Sequence, residues 1–508
     1  MSASEPEPPG PLFDLLSLPA LLDPDRPILT CGDETATIAE VQARAIEIAG
    51  RLDGSGVALL DVNSNHAALL MYACVYRGVR FVPLNYRLRA HELEDILDRG
   101  EVSTLVYGER YADVAAEASQ GRWRGAIVPI EELCSPAGAT GLSGSGGDIV
   151  LFTSGTSSTP KPIPLEAGPL ATYVMATTPA CPPETRDENL LMSMPLYHVA
   201  GVVALLRAVF AGRRVTMLEQ FAPETWAQSV ERHRVTQAFL VPTMLQRVLE
   251  SPAALACDFS SLQNITYGGG PMRLSIIRQA LEAFPPHVGF VGVYGLTEAG
   301  GTVCILDEAD HAAAREGDPG AIVRLGSIGL PLENLSVEIL DLDGNPCPPG
   351  IEGEIVVSGP RLSSVVTEAA PDGSRVLRTG DRGYGDEAGY IYFGGRGDDM
   401  IVRGGENIAP AEIETVLGTS NVVRECAVFG IADETWGQRV VAAVVPAGSE
   451  PPDFEALRLS LRDQLAAYKW PSEFLVLESL PTSATGKIVK RELVAIYEQR
   501  ASARANGG

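Results

Sequence analysis

Between Ile28 and Tyr107 short apolar runs alternate with stretches of helical period, and few folds accommodate that alternation. Val57–Asp61, Phe81–Pro83 and Thr104–Tyr107 read as strands, and the stretches from Thr37 to Leu52, Ala67–Val79 and His91–Arg99 read as helices. Thr37 is placed to cap the first helix, with Glu40 three residues on as its capping-box partner. Strand–helix alternation of this kind predicts an α/β sheet with crossover connections.

The pattern continues beyond a Gly/Ser-rich stretch, 138–147, that reads as a flexible loop. Strands are expected at Ile149–Phe152, Arg214–Leu218, Ala238–Val241 and Val288–Val293, with helices at Trp226–His233 and Leu274–Ala283. From Ser336 to Val357 the texture becomes β, with a turn at Asp343-Gly344 between Val337–Leu340 and Glu354–Val357. A compact α+β module begins near Asp398, with helices at Ala411–Leu417 and Leu457–Leu465 and strands at Arg424–Phe429 and Val440–Val445. At 508 residues the chain exceeds one ordinary core. The expected organisation is α/β: a large N-terminal domain of α/β sheets plus a β-rich subdomain, 1–397, and a small α+β C-terminal domain, 398–508.

Charge narrows the partners. The net charge is −26, from 39 Lys and Arg against 65 Asp and Glu. Such a surface repels nucleic acid and anionic lipid, so neither is expected as a partner. Any polyphosphate site must then bring its own positive groups. The eight cysteines are scattered and form no Cys-x-x-Cys pair, which suggests neither a zinc site nor a disulfide framework. The stretch from Met1 to Pro11 is acidic and Pro-rich, without the basic start and apolar run of a signal peptide. The longest apolar run, Val199 to Leu206, is too short to cross a bilayer. A reducing cytoplasm is the expected location.

Five segments carry chemistry. Leu151-Phe-Thr-Ser-Gly-Thr-Ser-Ser-Thr-Pro-Lys161 is a strand entering a loop of hydroxyl residues with a glycine and a lysine. Hydroxyls and backbone N–H groups can wrap a polyphosphate, and the lysine adds a point charge. It is not a Walker A loop, because Pro160 and Pro162 stand where that motif has its second Gly and its Ser/Thr. A polar surface loop would read the same way. In Tyr294-Gly-Leu-Thr-Glu298 a tyrosine can stack on a purine, a threonine can bond a phosphate and a carboxylate can bind Mg²⁺. Arg378-Thr-Gly-Asp381 offers a carboxylate suited to two ribose hydroxyls, though a turn residue capping its own backbone fits equally. It is followed by Gly395-Arg396-Gly-Asp398 and Arg403-Gly-Gly-Glu-Asn-Ile-Ala-Pro-Ala-Glu412. The last segment, Pro481-Thr-Ser-Ala-Thr-Gly-Lys487, is a lysine in a Gly/Thr loop, which alone would be a solvated charge.

In type, order and spacing these segments resemble the adenylate-forming superfamily of acyl-CoA synthetases, peptide-synthetase adenylation domains and beetle luciferases. The resemblance runs from about Thr37 to Leu493. Pro195-Leu-Tyr-His198 and Gly404-Gly-Glu-Asn-Ile408 look most like stand-alone acyl-CoA synthetases. The resemblance implies ATP and Mg²⁺ as cofactors, CoA as co-substrate, a small-molecule acid as partner and a mobile C-terminal domain. It implies a phosphate loop through Thr153, Ser154, Gly155, Thr156 and Lys161, and adenine held by Gly269, Gly270, Pro271, Tyr294 and Gly295. Thr297 would contact the α-phosphate, Glu298 the Mg²⁺ and Asp381 the ribose, with Arg396 near ribose and phosphate. Lys487 would bridge the acid's carboxylate and the α-phosphate. Asp398 matches the hinge about which the small domain turns. Gly404, Gly405 and Glu406 would line the thiol's path, although a tight turn before the next helix is the alternative.

His198, Val199, Gly201, Thr243, Gly268 and Val293 are expected at the acyl pocket, His198 placing the carboxylate or gating the thiol; a buried structural histidine is the other reading. The small, apolar and aromatic set favours an aromatic or medium-chain acid. Ser158 and Pro162 depart from the glycines usual in the phosphate loop, and the stretch from Gly359 to Arg378 is short and lacks Tyr-x-Asn-x-Pro, which reads as loop loss away from the chemistry. Other acceptors stay open: the phosphopantetheine of a separate carrier protein, since only a short tail follows Lys487, or an amine. The acid itself could be another oxyacid. A nucleotide-binding regulator without catalysis is the reading from another class, and Glu298 together with Lys487 speaks against it.

Overall fold

The computed structural model describes residues 10–136, 144, 147–153, 160–270, 272, 274–341, 343–365, 367–369, 374–396, 401–408, 410–418, 420, 422–448, 452–462, 464–481, 488 and 490–505. They form two compact units. The first comprises Met1–Tyr86, Leu93–Phe152 and Pro162–Gly395; the second comprises Arg87–Glu92, Thr153–Lys161 and Arg396–Gly508.

The first unit is built on sheets covered by helices. In its nine-stranded sheet, Pro27–Cys31, Arg214–Met217, Asn189–Met192, Gln237–Leu240, Asn264–Gly268 and Gly289–Leu296 run parallel. Antiparallel strands close both edges: Glu34–Thr37 at one, Gly301–Leu306 and Leu330–Pro331 at the other. A six-stranded sheet is ordered Ala126–Pro129, Thr104–Tyr107, Gly56–Leu60, Arg80–Pro83, Ile149–Thr153, Lys161–Leu165. Parallel pairing of this kind needs crossover helices, and the alternation in the sequence supplies them.

The local signals that predicted these helices are local in the structure too. Thr37 Oγ1 accepts from Glu40 N while Glu40 Oε2 accepts from Thr37 N, so the capping box forms as read. That helix is Ile38–Ala49 and stops short of Leu52. The next, Asn65–Arg77, is capped by Ser64 and ends at Gly78 in the left-handed conformation. All of Ala67 to Val75 is buried, which is why this stretch is apolar all round. Val199–Phe210, which contains the longest apolar run, is a core helix. Among the described residues no helix is long and apolar enough to cross a membrane.

Other elements carry no local signal. Pro11–Leu22 is a helix despite Pro19 inside it, held by fully buried Phe13, Leu15 and Leu16. Pro162 and Pro164 lie in the strand Lys161–Leu165, last in its sheet, rather than in the phosphate loop. An edge strand can do without the donors that proline lacks. The β-rich part is an antiparallel sheet of Ser336–Leu340, Gly353–Ser358, Arg375–Gly385 and Glu368–Ala369, with Ile391–Arg396 added to Arg375–Gly385.

The second unit has a sheet ordered Glu406–Ile408, Ile401–Arg403, Gly437–Pro446, Val423–Asp433, with Glu473–Val476 beside Gly437–Pro446. Alternate residues of its long strands feed two cores. Val428, Val440, Ala442 and Val444 pack with Ile413, Leu417, Leu457 and Leu461. Phe429, Val441, Ala443 and Val445 pack with Leu493 and Tyr497. Those last two belong to a helix, Lys490–Ala505, so the stretch read as a short tail is a structural element of this unit. The 138–147 loop, apart from Gly144 and Gly147, lies outside the described residues, as do Ser158 and Asp398.

Candidate active site

Where parallel strands end, the following loops gather at one edge of the sheet, and ligands of α/β proteins bind at that edge. His198 follows the strand Asn189–Met192, Thr243 follows Gln237–Leu240, Gly269 and Gly270 follow Asn264–Gly268, and Thr297 and Glu298 follow Gly289–Leu296. The sequence scatters these residues over a hundred positions. The sheet brings them to one edge.

The most defined geometry joins Tyr294 to Asp381. Tyr294, near the end of Gly289–Leu296, donates its phenol to Asp381 Oδ2 at 2.6 Å. Burial, with the Asp381 carboxylate next in order, pushes the Tyr294 phenol well up, so it stays a donor. Asp381 is 4% exposed and sits inside the strand Arg375–Gly385. Its own N–H donates to Thr379 Oγ1 at 3.0 Å, and that hydroxyl donates to Ile355 O at 2.6 Å. This removes the reading of Asp381 as a turn residue capping its own backbone. Arg378 is a surface partner of Glu354.

Thr297 and Glu298 form the turn between Gly289–Leu296 and Gly301–Leu306, closed by Gly300 N donating to Thr297 O at 2.9 Å. Gly295 allows the return strand to pass, since a Cβ there would lie 2.4 Å from Gly301 O. The turn is also gripped from outside. Ser363 N donates to Glu298 O at 2.8 Å, and the Arg361 guanidinium donates to Thr302 O. Both residues lie in the stretch after Gly359 that reads as short, so that stretch touches the turn expected to carry the chemistry. Nothing in its local spacing could have shown this, because the two contacts span 59 and 65 residues of chain.

At the expected acyl pocket, His198 precedes the helix Val199–Phe210 without capping it and packs its ring 4.6 Å from Tyr197. Tyr86 lies edge-on to Tyr197 at 5.5 Å. His198, Val199, Thr243 and Val293 are half-buried. Gly201 is a packing glycine: a Cβ would meet Pro195 O at 2.3 Å. Gly268 likewise leaves 2.4 Å to Val293 O. Tyr267, the neighbour of Gly268, is buried against His311, with its hydroxyl 2.8 Å from Nε2.

Gly269 has φ +77° and only Val241 Cγ1 near a Cβ position, at 3.5 Å, which leaves its backbone approachable. Thr153 ends one strand and Lys161 begins another, with its side chain exposed. Arg396 ends Ile391–Arg396. Ser154, Gly155, Thr156, Pro271, Asp398 and Lys487 lie outside the described residues.

In the second unit, Gly404 and Gly405 take φ of +60° and +85°, a turn that an L side chain would strain. Gly404 N donates to Trp436 O at 2.8 Å, and the exposed indole packs where a Gly404 Cβ would stand. Arg403 lies over that indole at 5.6 Å. Glu406 is buried and pairs with Arg87 at 3.2 Å.

A family model described as AMP-binding enzyme matches residues 20–365, and one described as AMP-binding enzyme C-terminal domain matches residues 412–487. Feruloyl-CoA synthase of Amycolatopsis sp is 34% identical over 497 residues, covering 93% of this chain and 96% of that protein. Among solved structures, o-succinylbenzoate CoA synthetase from Bacillus subtilis, bound to a product analogue, superposes with TM-score 0.82 at 28% identity, covering 94% of this chain and 98% of that one. The same enzyme is also known with ATP and magnesium ion. Amide bond synthetase McbA from Marinactinospora thermotolerans superposes with TM-score 0.83 at 27% identity, covering 96% of this chain and 99% of that one. Matched by these models along most of its length, the chain belongs to the AMP-binding enzyme family and is an adenylate-forming ligase of the acid–CoA type.

Proposed function

We propose that the chain converts a carboxylic acid, aromatic or medium-chain, to its acyl-adenylate with ATP and Mg²⁺, and transfers the acyl group to the thiol of CoA. The observation that carries this reading is the Tyr294–Asp381 pair, a buried carboxylate aimed by a phenol, three residues before the turn that bears Thr297 and Glu298. Asp381 would accept the ribose hydroxyls, with adenine against Gly269, Gly270 and Gly295.

The donor set fits a nucleotide-bound magnesium ion, which needs only one or two protein carboxylates, and Glu298 is half-exposed at its turn. Bound there, Mg²⁺ would neutralise phosphate charge as the acid approaches. Thr297 would hold the α-phosphate, with Thr153, Ser154, Gly155, Thr156, Lys161 and Lys487 completing the phosphate set on the strength of their motifs. One oxygen of the acid attacks the α-phosphorus and the bond to pyrophosphate breaks. The CoA thiolate then attacks the acyl carbon, and AMP leaves. The acid needs no general base, because it is ionised at neutral pH. Asp398 as hinge and Gly404, Gly405 and Glu406 along the thiol path belong to the same reading. The Tyr86–Tyr197–His198 rings support an aromatic acid, as does the relative named for feruloyl-CoA.

The likeness to an amide bond synthetase favours one second reading, in which an amine takes the acyl group. ATP–pyrophosphate exchange over a panel of acids, wild type against Lys487→Ala, followed by mass spectrometry with CoA, separates them. Exchange abolished by the substitution, with an acyl-CoA product, is the expected result. Exchange without acyl-CoA moves the acceptor to an amine or a carrier thiol. No exchange with any acid overturns the adenylation reading.

A further inference from the structure

Arg361 is the anomaly of the first unit. It is 6% exposed, and its guanidinium lies 4.1 Å from the Tyr173 ring centroid. Among the described residues Nη2 is bonded to Thr302 O, and Nε and Nη1 are buried without a hydrogen-bond partner. Among the described residues no carboxylate pairs with it. Glu166 lines the same cavity, but its oxygens accept from Ser364 N at 3.0 Å and from Arg375 Nη1 and Nη2 at 3.0 and 3.2 Å. Burial pulls the Arg361 guanidinium down from its ordinary value; the Tyr173 phenol acts upward without cancelling it, and a second cation, Arg207, adds to the fall.

A buried charge without a counter-charge is costly to the fold. This one stands beside the phosphate turn. Arg361 shares with Thr297, Gly300 and Ser363 a cavity of about 10 Å³, room for about one water molecule. Ser363 Oγ, on a residue 4% exposed, also lacks a partner there.

We propose that Arg361 is a positioning residue for the nucleotide: its guanidinium fixes the Thr297–Glu298 turn through Thr302 O and through the small polar cavity, and the triphosphate of ATP, held outside that cavity, offsets its charge across the turn. This rests on the adenylation reading above. The apo fold is then burdened by the charge, and ATP relieves it. A stabilising arginine would behave in the opposite way.

The test is Arg361→Met, which keeps length and apolar bulk, alongside Arg361→Lys, which keeps the charge. Thermal unfolding is followed with and without Mg²⁺ and ATP, and exchange kinetics are measured against ATP and against the acid. In Arg361→Met the apo transition should be unchanged or raised, and the ATP-induced shift should shrink by half or more. KM for ATP should rise about tenfold, with KM for the acid within about twofold, the scale of one lost charge-assisted contact. Arg361→Lys should recover most of the ATP shift. An unchanged ATP shift in Arg361→Met overturns the proposal, and so does a lowered apo transition or a failure to fold. A wild-type chain that shows neither ATP-induced shift nor exchange overturns the adenylation reading itself, an outcome visible before any variant is compared.

Discussion

Tyr294 holds Asp381 by a single phenolic hydrogen bond of 2.6 Å, across 87 residues of chain. If that carboxylate grips the ribose, the phenol fixes its direction. Removing one donor from a buried carboxylate costs about 1.5–3 kcal/mol, so Tyr294→Phe should raise KM for ATP roughly tenfold or more. The acid's KM should stay near that of wild type. The loss should largely vanish when a deoxyribose nucleotide replaces ATP, because the contact being weakened is then already gone. An equal penalty with both nucleotides would detach the pair from the ribose.

Glu298 allows a cleaner test of charge than most turn residues, because its backbone is held independently of its side chain. Its carbonyl accepts from Ser363 N at 2.8 Å, a bond that Glu298→Gln leaves in place. The turn should therefore persist while its anion is lost. The expected result is a fall in kcat of roughly 10²–10³, the scale of losing one preorganised electrostatic group. The Mg²⁺ concentration for half-maximal rate should rise as well. Activity near wild type at ordinary Mg²⁺ would place the metal's carboxylate elsewhere.

What the sequence could disclose was set by range. Thr37 and Glu40 announce their helix because both partners of the capping box lie within one turn. Thr104–Tyr107 and Leu274–Ala283 have the bounds expected of them, since periodicity is also local. The ordered motifs marked Tyr294, Glu298 and Asp381 as candidates, yet nothing in them says that Tyr294 spends its hydroxyl on Asp381. Arg361 and Ser363 were missed altogether. Their stretch differs from the usual pattern, and only the folded chain sets it against Glu298 O and Thr302 O. Pro19 hid a helix for a related reason, since tertiary burial of Phe13 and Leu16 outweighs a poor local propensity.

In the second unit, Lys469 is 5% exposed and bridges Glu92 and Glu412, both at 2.7 Å. Burial acts to lower the Lys469 ammonium, but Glu412 and Glu92 outweigh it, and its net direction is upward. Breaking such a group from one side strands buried carboxylates, so Lys469→Met should cost about 3–5 kcal/mol of stability. The raised value fixes the sign with pH. The ammonium's contribution is complete below the ordinary lysine value and is lost as pH climbs through the higher folded value. Denaturant titrations of wild type and Lys469→Met at neutral and strongly alkaline pH should converge at the alkaline end. A constant gap between the two would show that the ammonium's charge is not what stabilises.

His311 gives the opposite sign. It is 1% exposed, with Nε2 2.8 Å from the Tyr267 hydroxyl and Nδ1 2.6 Å from Asp307 O. A backbone carbonyl can only accept, so Nδ1 carries the proton and Nε2 receives Tyr267's. That arrangement suits the neutral ring. Burial lowers His311 from its ordinary value, and it outweighs Asp307 and Asp310, which act upward; Arg315 reinforces it. The unfolded chain therefore takes up a proton first as pH falls, and stability drops from the ordinary histidine value down to the lowered folded one. The slope from one such group is about 1.4 kcal/mol per pH unit. Urea denaturation at pH 7.5 and pH 5.5 should show this loss in wild type and a smaller one in His311→Gln, which accepts from Tyr267 without titrating. Parallel losses in the two proteins would mean that other groups set the acid limit of the fold and that His311 is a packing residue only.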